Sequence, residues 1–224
     1  MMKRYAKKQI GEQIVIIRQI EVGNFNIFSY LIGDEQAKEG LFIDPSDGHD
    51  LLLKEAKAHG LAIKYIVNTH CHIDHTMGNR EMARRTGAKV IIYEADAAGL
   101  LDTPSNILDM FGAKEPPPAD ILVSDGNLIQ VGNVALKVIH TPGHTPGGMC
   151  LYLDGMVFTG DTLFVGSVGR TDFPGGSYAE LEHSIRTKLY TLPGDTVVFP
   201  GHNYGMHPTS TIQQERRSNS IIRG

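Results

Sequence analysis

Cysteine is scarce in this chain. Its 224 residues hold two, Cys71 and Cys150. A disulfide framework is therefore excluded as a source of stability, and the pair reads as free thiols of a reducing compartment. Nor is there a surplus of positive charge. Lys and Arg number 21 against 25 Asp and Glu, a net charge of −4, which argues against a nucleic-acid partner. No apolar run approaches the roughly 20 residues that cross a bilayer. The basic start, Met1-Met2-Lys3-Arg4-Tyr5-Ala6-Lys7-Lys8, lacks the apolar stretch of a signal peptide, because Ile14-Val15-Ile16-Ile17 is short and meets Arg18. The expectation is a cytoplasmic protein with no membrane partner. Heptads, repeats and low-complexity tracts are missing too, as is the Gly-x-Ser-x-Gly elbow that would announce a serine nucleophile. What is left is an ordinary globular composition, 41% apolar and 21% charged, long enough for a sizeable core in one large domain or two small ones.

Apolar periodicity divides the chain into alternating elements. Residues 13–22 and 26–33 are two apolar runs separated by Gly23-Asn24, the pattern of a hairpin. Strands follow at 41–44, 64–68 and 90–93, with helices at 49–59 and 77–86 between them, closed by Gly60 and Gly87. Residues 94–101 suit a short helix. Residues 103–119 break the rhythm with Pro104, Gly112 and the run Pro116-Pro117-Pro118; a single helical turn fits at 107–111, and a loop this long is either a lid or substrate wall or an inert excursion. Strands then dominate at 121–123, 128–131, 134–140, 149–153 and 156–159, with Gly126-Asn127, Gly132-Asn133 and Asp154-Gly155 as turns. A helix at 178–192, a strand at 196–199 and a helix at 209–219 capped by Thr209 or Ser210 complete the chain. Each half has strands followed by a helix, which implies two mixed β-sheets packed together with helices outside.

The stretch with most chemistry is Thr69-His70-Cys71-His72-Ile73-Asp74-His75, three histidines and a carboxylate on a strand-to-helix turn. An extended backbone points His70 and His72 to one side. Asp74 and His75 are adjacent, so they serve a different direction, and two sub-sites are implied. His144 in Thr141-Pro142-Gly143-His144, His202 in Pro200-Gly201-His202 and Asp161 in Thr159-Gly160-Asp161 lie in turns able to complete them. Imidazole and carboxylate together suit zinc, iron or manganese. Cys71 has neighbours with better ligand spacing. His49, His59, His140, His183 and His207 read as ordinary surface or core histidines, with His207 near enough to His202 to stay open. Seven candidate ligands exceed one tetrahedral ion and fit two, an arrangement that acidifies a shared water and polarises a carbonyl without a protein nucleophile.

His70-x-His72-x-Asp74-His75 followed by His144, Asp161 and His202 resembles the metallo-β-lactamase fold superfamily over essentially the whole chain. The resemblance implies a single α+β domain over residues 1–224, a four-layer αββα sandwich with the metals at one edge of the two sheets. It implies His70, His72 and His144 on a first metal, Asp74, His75 and His202 on a second, and Asp161 bridging both. The cofactor expectation is thus two divalent ions, zinc first, with iron or manganese as alternatives. The run Thr159-Gly160-Asp161-Thr162-Leu163-Phe164-Val165-Gly166-Ser167-Val168-Gly169-Arg170-Thr171-Asp172 is similar to glyoxalase II-like hydrolases of S-acylglutathione thioesters. That similarity implies substrate contacts from Arg170 and Tyr204. Ending soon after Arg223, the chain matches the short form of that family, without the helical segment that supplies further glutathione contacts. The expected reaction is hydrolysis of a small-molecule thioester by a metal-bound hydroxide that Asp74 helps to orient; a thiol pKa near ~8.5 makes the thiolate a good leaving group.

Gly169-Arg170-Thr171-Asp172-Phe173 and Ser210-Thr211-Ile212-x-x-Glu215 also resemble persulfide dioxygenases of the same fold. That alternative implies one iron on His70, His144 and Asp161, a two-histidine, one-carboxylate face with room for oxygen and substrate. Pro200-Gly201-His202 and Thr162-Leu163-Phe164 place the hydrolase first. A nuclease is disfavoured by the charge balance, and a non-catalytic metal-binding module would need the open coordination positions blocked.

Overall fold

A computed structural model describes residues 4–11 and 13–224; the first three residues of the basic start at 1–8 lie outside them. Two sheets are stacked face to face. The first holds seven strands in sequence order: β1 (Arg4–Ile10), β2 (Gln13–Val22), β3 (Ile27–Asp34), β4 (Glu39–Ile43), β5 (Ala62–Val67), β6 (Lys89–Tyr93) and β7 (Ile121–Val123). β1 to β4 pair antiparallel, and β4 to β7 pair parallel. The second sheet has the order β13-β12-β11-β10-β9-β8, from β8 (Leu128–Val131), β9 (Val134–His140), β10 (Met149–Leu153), β11 (Met156–Gly160), β12 (Val197–Pro200) and β13 (Ser210–Thr211). Only β11 and β12 pair parallel there.

Period-two alternation explains the layering. Ile17, Tyr30, Ile32, Leu41 and Ile43 face Leu136, Val138, Leu151 and Phe158 of the other sheet in a shared core. Their neighbours Ile16, Leu31, Phe42 and Ile66 face outward, under Leu52 and Ala56 of α1 (His49–Ala58) and Met82 of α3 (Asn79–Thr86). The second sheet turns Cys150, Val157 and Val198 outward against Leu181 of α5 (Tyr178–Ser184), Ile185 and Leu189 just beyond it, and Ile212 of α6 (Ile212–Ser218). The result is the expected αββα order, helices outside two mixed sheets. No helix among the described residues is long and apolar enough to cross a membrane.

Local expectations were revised in several places. The helix at 178–192 is regular only to Ser184 and widens into a π-turn over Ile185–Leu189. Residues 94–101 form two 3-10 turns, Glu94–Asp96 and Gly99–Leu101. The last helix starts later than its periodicity suggests, because Ser210–Thr211 pair with β12 first; Thr211 is its cap, its Oγ1 accepting from Gln214 N at 3.2 Å. The strand β1 carried no apolar alternation to reveal it, and forms by pairing with β2. Within 103–119 one helix forms, α4 (Ser105–Phe111).

Strand direction gathers the chemistry. β2, β4, β5, β9, β11 and β12 all end at one edge. Backbone bonds tie the two sheets together there, Phe28 N to Gly201 O at 2.8 Å and Met149 N to Thr69 O at 2.9 Å.

Candidate metal centre

Every candidate ligand lies just past a strand end or on the short helix α2 (Ile73–Thr76). β5 delivers His70 and His72, and α2 turns the chain so that Asp74 and His75 face the other way. The turn after β9 brings His144, the bend after β11 brings Asp161, and the residues after β12 bring His202. Two ligand groups result, His70, His72 and His144, and Asp74, His75 and His202, each with its donor atoms within 4.8 Å of one another. Asp161 lies between them, with Oδ2 3.6 Å from His144 Nε2 and 3.3 Å from His202 Nε2, and Oδ1 3.3 Å from His75 Nε2. The backbone around Asp161 has no room to spare. A Cβ on Gly201 would fall 2.3 Å from Asp161 Oδ1, and one on Gly160, at φ +48°, would fall 2.4 Å from Thr69 Oγ1.

The imidazoles are aimed from behind. His144 Nδ1 donates to Arg170 O at 2.7 Å, His202 Nδ1 to Phe25 O at 2.9 Å, and His75 Nδ1 to Asp44 Oδ2 at 3.0 Å. His70 Nδ1 lies 3.1 Å from Thr69 Oγ1, whose hydroxyl donates to Asp44 Oδ2 at 2.6 Å. Tying down Nδ1 leaves Nε2 facing inward with its lone pair, the arrangement that orients a metal-ligating histidine. His72 differs, presenting Nδ1 to His144 Nε2 at 2.9 Å.

Asp44, Thr69 and Asp96 were not singled out by sequence reasoning. Asp44 is 1% exposed at φ 46° and accepts from Thr69 N at 2.8 Å as well as from the Thr69 hydroxyl and His75. It also makes a grouping with His70 and His75, but it is bound to the rear nitrogen of His75, so it braces the ligands. Asp96 accepts from Cys71 N, Thr145 Oγ1 and Gly147 N at 2.9, 2.7 and 2.6 Å, stapling the first histidine turn to the turn of His144. The available signal was a carboxylate at a strand end before Pro45, which also describes many turn residues. Cys71 and Cys150 are both free. Burial, then Asp96, pushes the Cys71 thiol up, and the thiol faces Gly99.

The electrostatics suit a cation. Burial, then the charge of His75, drives His70 well below the usual histidine range, and burial, then His144, lowers His72 to about 4. Both lone pairs are thus free at neutral pH. Burial opposes a charge on His75, but Asp161 and Asp74 outweigh it and raise its pKa. Burial likewise opposes the Asp161 carboxylate, and His75 with His202 outweighs it and lowers its pKa. A protonated imidazole supplies the positive charge the carboxylates call for. His70 Nε2 and Asp161 Oδ1 are buried without a hydrogen-bond partner, which buried polar atoms seldom tolerate. The residues present therefore fit metal ions.

The residues 103–119 cover this edge. α4 packs on α2, and the Phe111 ring stacks on Phe25 with centroids 4.8 Å apart. Tyr204 stacks on His202 at 4.5 Å, and Phe173 meets His72 edge-on at 5.3 Å. Arg170 lies over Phe173 at 3.9 Å with both arms of its guanidinium on Asp172, at 2.7 and 2.6 Å.

The family model described as "Metallo-beta-lactamase superfamily" matches residues 22–202. The human mitochondrial persulfide dioxygenase ETHE1 is 33% identical over 96% of this chain and 81% of its own. The hydroxyacylglutathione hydrolase GloC of Haemophilus influenzae is 32% identical over 92% of this chain and 97% of its own. Among solved structures, TTHA1623 in a di-iron-bound form superposes with a TM-score of 0.79 at 30% identity, covering 91% of this chain and 99% of that one.

Proposed function

This chain belongs to the metallo-beta-lactamase superfamily, and from that premise we propose that it is a metal enzyme acting at the sulfur of a small thiol-derived substrate, with persulfide oxidation as its reaction. Sequence motifs had ranked thioester hydrolysis first. The relatives favour the other order, since human persulfide dioxygenase aligns over nearly the whole chain. The observation that carries the reading is the face made by His70, His144 and Asp161. His70 Nε2 and Asp161 Oδ1 are buried without a hydrogen-bond partner, and His144 Nε2 stands 3.6 Å from Asp161 Oδ2. Two imidazoles and a carboxylate on one face, with open positions beside them, are the ligand set of non-haem iron oxygenases.

Thioester hydrolysis is the second reading, favoured by the group Asp74, His75 and His202. It uses the same sheet edge with two divalent ions, zinc among them, and Asp161 as the shared ligand. When bound, iron would activate dioxygen beside a substrate sulfur, whereas an ion pair would polarise a thioester carbonyl and acidify water.

The chain's own residues do similar work in both readings. His70 and His72 stay neutral at neutral pH and keep their lone pairs for the metal. Tyr204, 57% exposed, has its phenol held up by burial and by Asp161 and Asp74, so it remains a hydrogen-bond donor towards the departing thiolate. Asp74 Oδ2 stands 3.5 Å from His202 Nε2 and would orient the attacking water in the hydrolytic case. Phe25, Phe111 and Phe173 limit water at the edge, and Arg170 and Tyr204 flank the substrate. The two free thiols suit a reducing compartment such as the cytoplasm.

Metal content and gas exchange test the reading together. Protein purified without added metal should carry one iron per chain and consume one dioxygen and one water per small persulfide, releasing the free thiol and the outer sulfur as sulfite. Two ions per chain, with thioester cleavage that proceeds without oxygen, would transfer the assignment to hydrolysis.

A further inference from the structure

Large apolar side chains left exposed in contiguous groups mark binding surfaces, and here they ring the metal edge. Phe25, Phe173 and Tyr204 are 43%, 41% and 57% exposed. Each touches the candidate ligands: the carbonyl of Phe25 holds His202, Tyr204 stacks on His202, and Phe173 abuts His72. Phe111, half-buried, extends this border by stacking on Phe25. Phe164 backs it from below, its centroid 5.4 Å from Tyr204 and 5.8 Å from His202.

Charge on this ring is already spoken for. Arg170 is the cation seated on it, and its fork is closed on Asp172 two residues away. A substrate carboxylate would have to displace a carboxylate tethered to the same loop. Displacement would also leave the Asp172 carboxylate beside it without its partner. A peptide thiol with two carboxylates therefore finds no open partner on this ring, whereas an alkyl or aryl group finds four rings.

We propose that the substrate's sulfur is carried by an apolar alkyl or aryl group seated against Phe25, Phe111, Phe173 and Tyr204, and that Phe111 is the specificity-determining residue supplied by α4. This rests on the preceding reading only in taking the substrate's reactive atom to be sulfur at the metal edge; it holds for persulfide or thioester alike. Each methylene that leaves water for such a wall adds about 0.8 kcal/mol, roughly fourfold in affinity.

The test is binding of free thiols to the metal-loaded full chain by calorimetry, which needs no turnover. The probes are the straight-chain thiols from ethanethiol to hexanethiol, benzyl mercaptan and glutathione. Affinity should rise three- to fourfold per methylene over the first members, and benzyl mercaptan should bind at least tenfold more tightly than glutathione. Phe111→Ala should flatten the series and weaken benzyl mercaptan about tenfold, with metal content kept; Phe111→Tyr should restore most of it. A flat series, glutathione binding more tightly than the apolar thiols, or no thiol binding overturns the inference. A steep series in a protein that neither oxidises persulfides nor cleaves thioesters would sink the proposed reactions and leave the apolar wall standing. Oxygen uptake with a flat series would do the reverse.

Discussion

Replacing Asp44 by asparagine should disable the metal centre from behind while keeping shape and volume. Oδ1 of Asp44 accepts Thr69 N at 2.8 Å, and Oδ2 accepts the Thr69 hydroxyl at 2.6 Å and His75 Nδ1 at 3.0 Å. An asparagine that turns its NH₂ towards the Oδ2 position donates where two donors already point. His75 can respond only by making Nδ1 an acceptor, which moves its proton to Nε2, the nitrogen facing the metal. The Thr69 hydroxyl then swings towards His70 Nδ1, 3.1 Å away, and pushes that ring to the same wrong tautomer. Loss of an outer partner of this kind costs ten- to a hundredfold in metal affinity, about 1.4–2.7 kcal/mol. The opposite amide rotamer keeps both tautomers but sets NH₂ against Thr69 N–H, and a buried unpaired amide costs about 1–3 kcal/mol. In a domain of this size each kcal/mol lowers Tm by roughly 2–4 °C. Competition with a chromophoric chelator, a thermal melt and imidazole ¹⁵N shifts separate the two routes. Asp44→Asn with wild-type metal affinity and wild-type Tm would refute the bracing role.

Asp161→Ala should abolish turnover and lower metal content together, because this carboxylate lies between both ligand groups; full activity would exclude a shared ligand. Gly201→Ala should weaken metal binding at least tenfold, since its methyl would meet Asp161 Oδ1 at 2.3 Å, with an overpacking cost of about 1–3 kcal/mol; a chelator titration and a melt measure both. Metal-free protein should lose stability as pH falls. His72 titrates near 4 when folded, against 6.5 otherwise. Between these values the unfolded chain binds the extra proton, so stability is complete above 6.5 and declines towards 4. His70, also lowered, acts in the same direction, whereas His75, shifted up, acts only above 6.5. A urea midpoint that stays level over that window would contradict this. Arg170→Ala should leave kcat within about twofold, its guanidinium being closed on Asp172; a drop in kcat equal to that in kcat/KM would instead mark a contact made only in the transition state.

The residues able to hold metal were legible in the chain because the spacing itself is chemical. His70 and His72 share a side of an extended segment, Asp74 and His75 cannot, and Gly-rich turns carry His144, Asp161 and His202. The layered fold was legible for a similar reason: two-residue alternation such as Ile16–Ile17 or Phe42–Ile43 marks which face of a strand each neighbour occupies, and both faces proved covered. These are local periodicities, and they survive in any well-packed version of the sequence. Other features depended on distant partners. β1 exists because β2 offers it an edge, and α6 begins at Ile212 because Ser210–Thr211 were taken by β12.

Asp44 shows the limit most clearly. In the chain it is one acidic residue before a proline, twenty-five positions from Thr69 and thirty-one from His75. Its role follows from two parallel strands ending side by side, β4 and β5, which places its carboxylate beneath both histidines. The Phe25–Phe111 stack is likewise invisible to spacing, since it joins a hairpin turn to a helix eighty-six residues later. Sequence alone determined which atoms could bind metal and how the strands would layer, because both are set by neighbours along the chain. Tertiary structure decided which groups aim those atoms and which rings border the metal edge, because both require segments far apart in sequence to meet at one sheet edge.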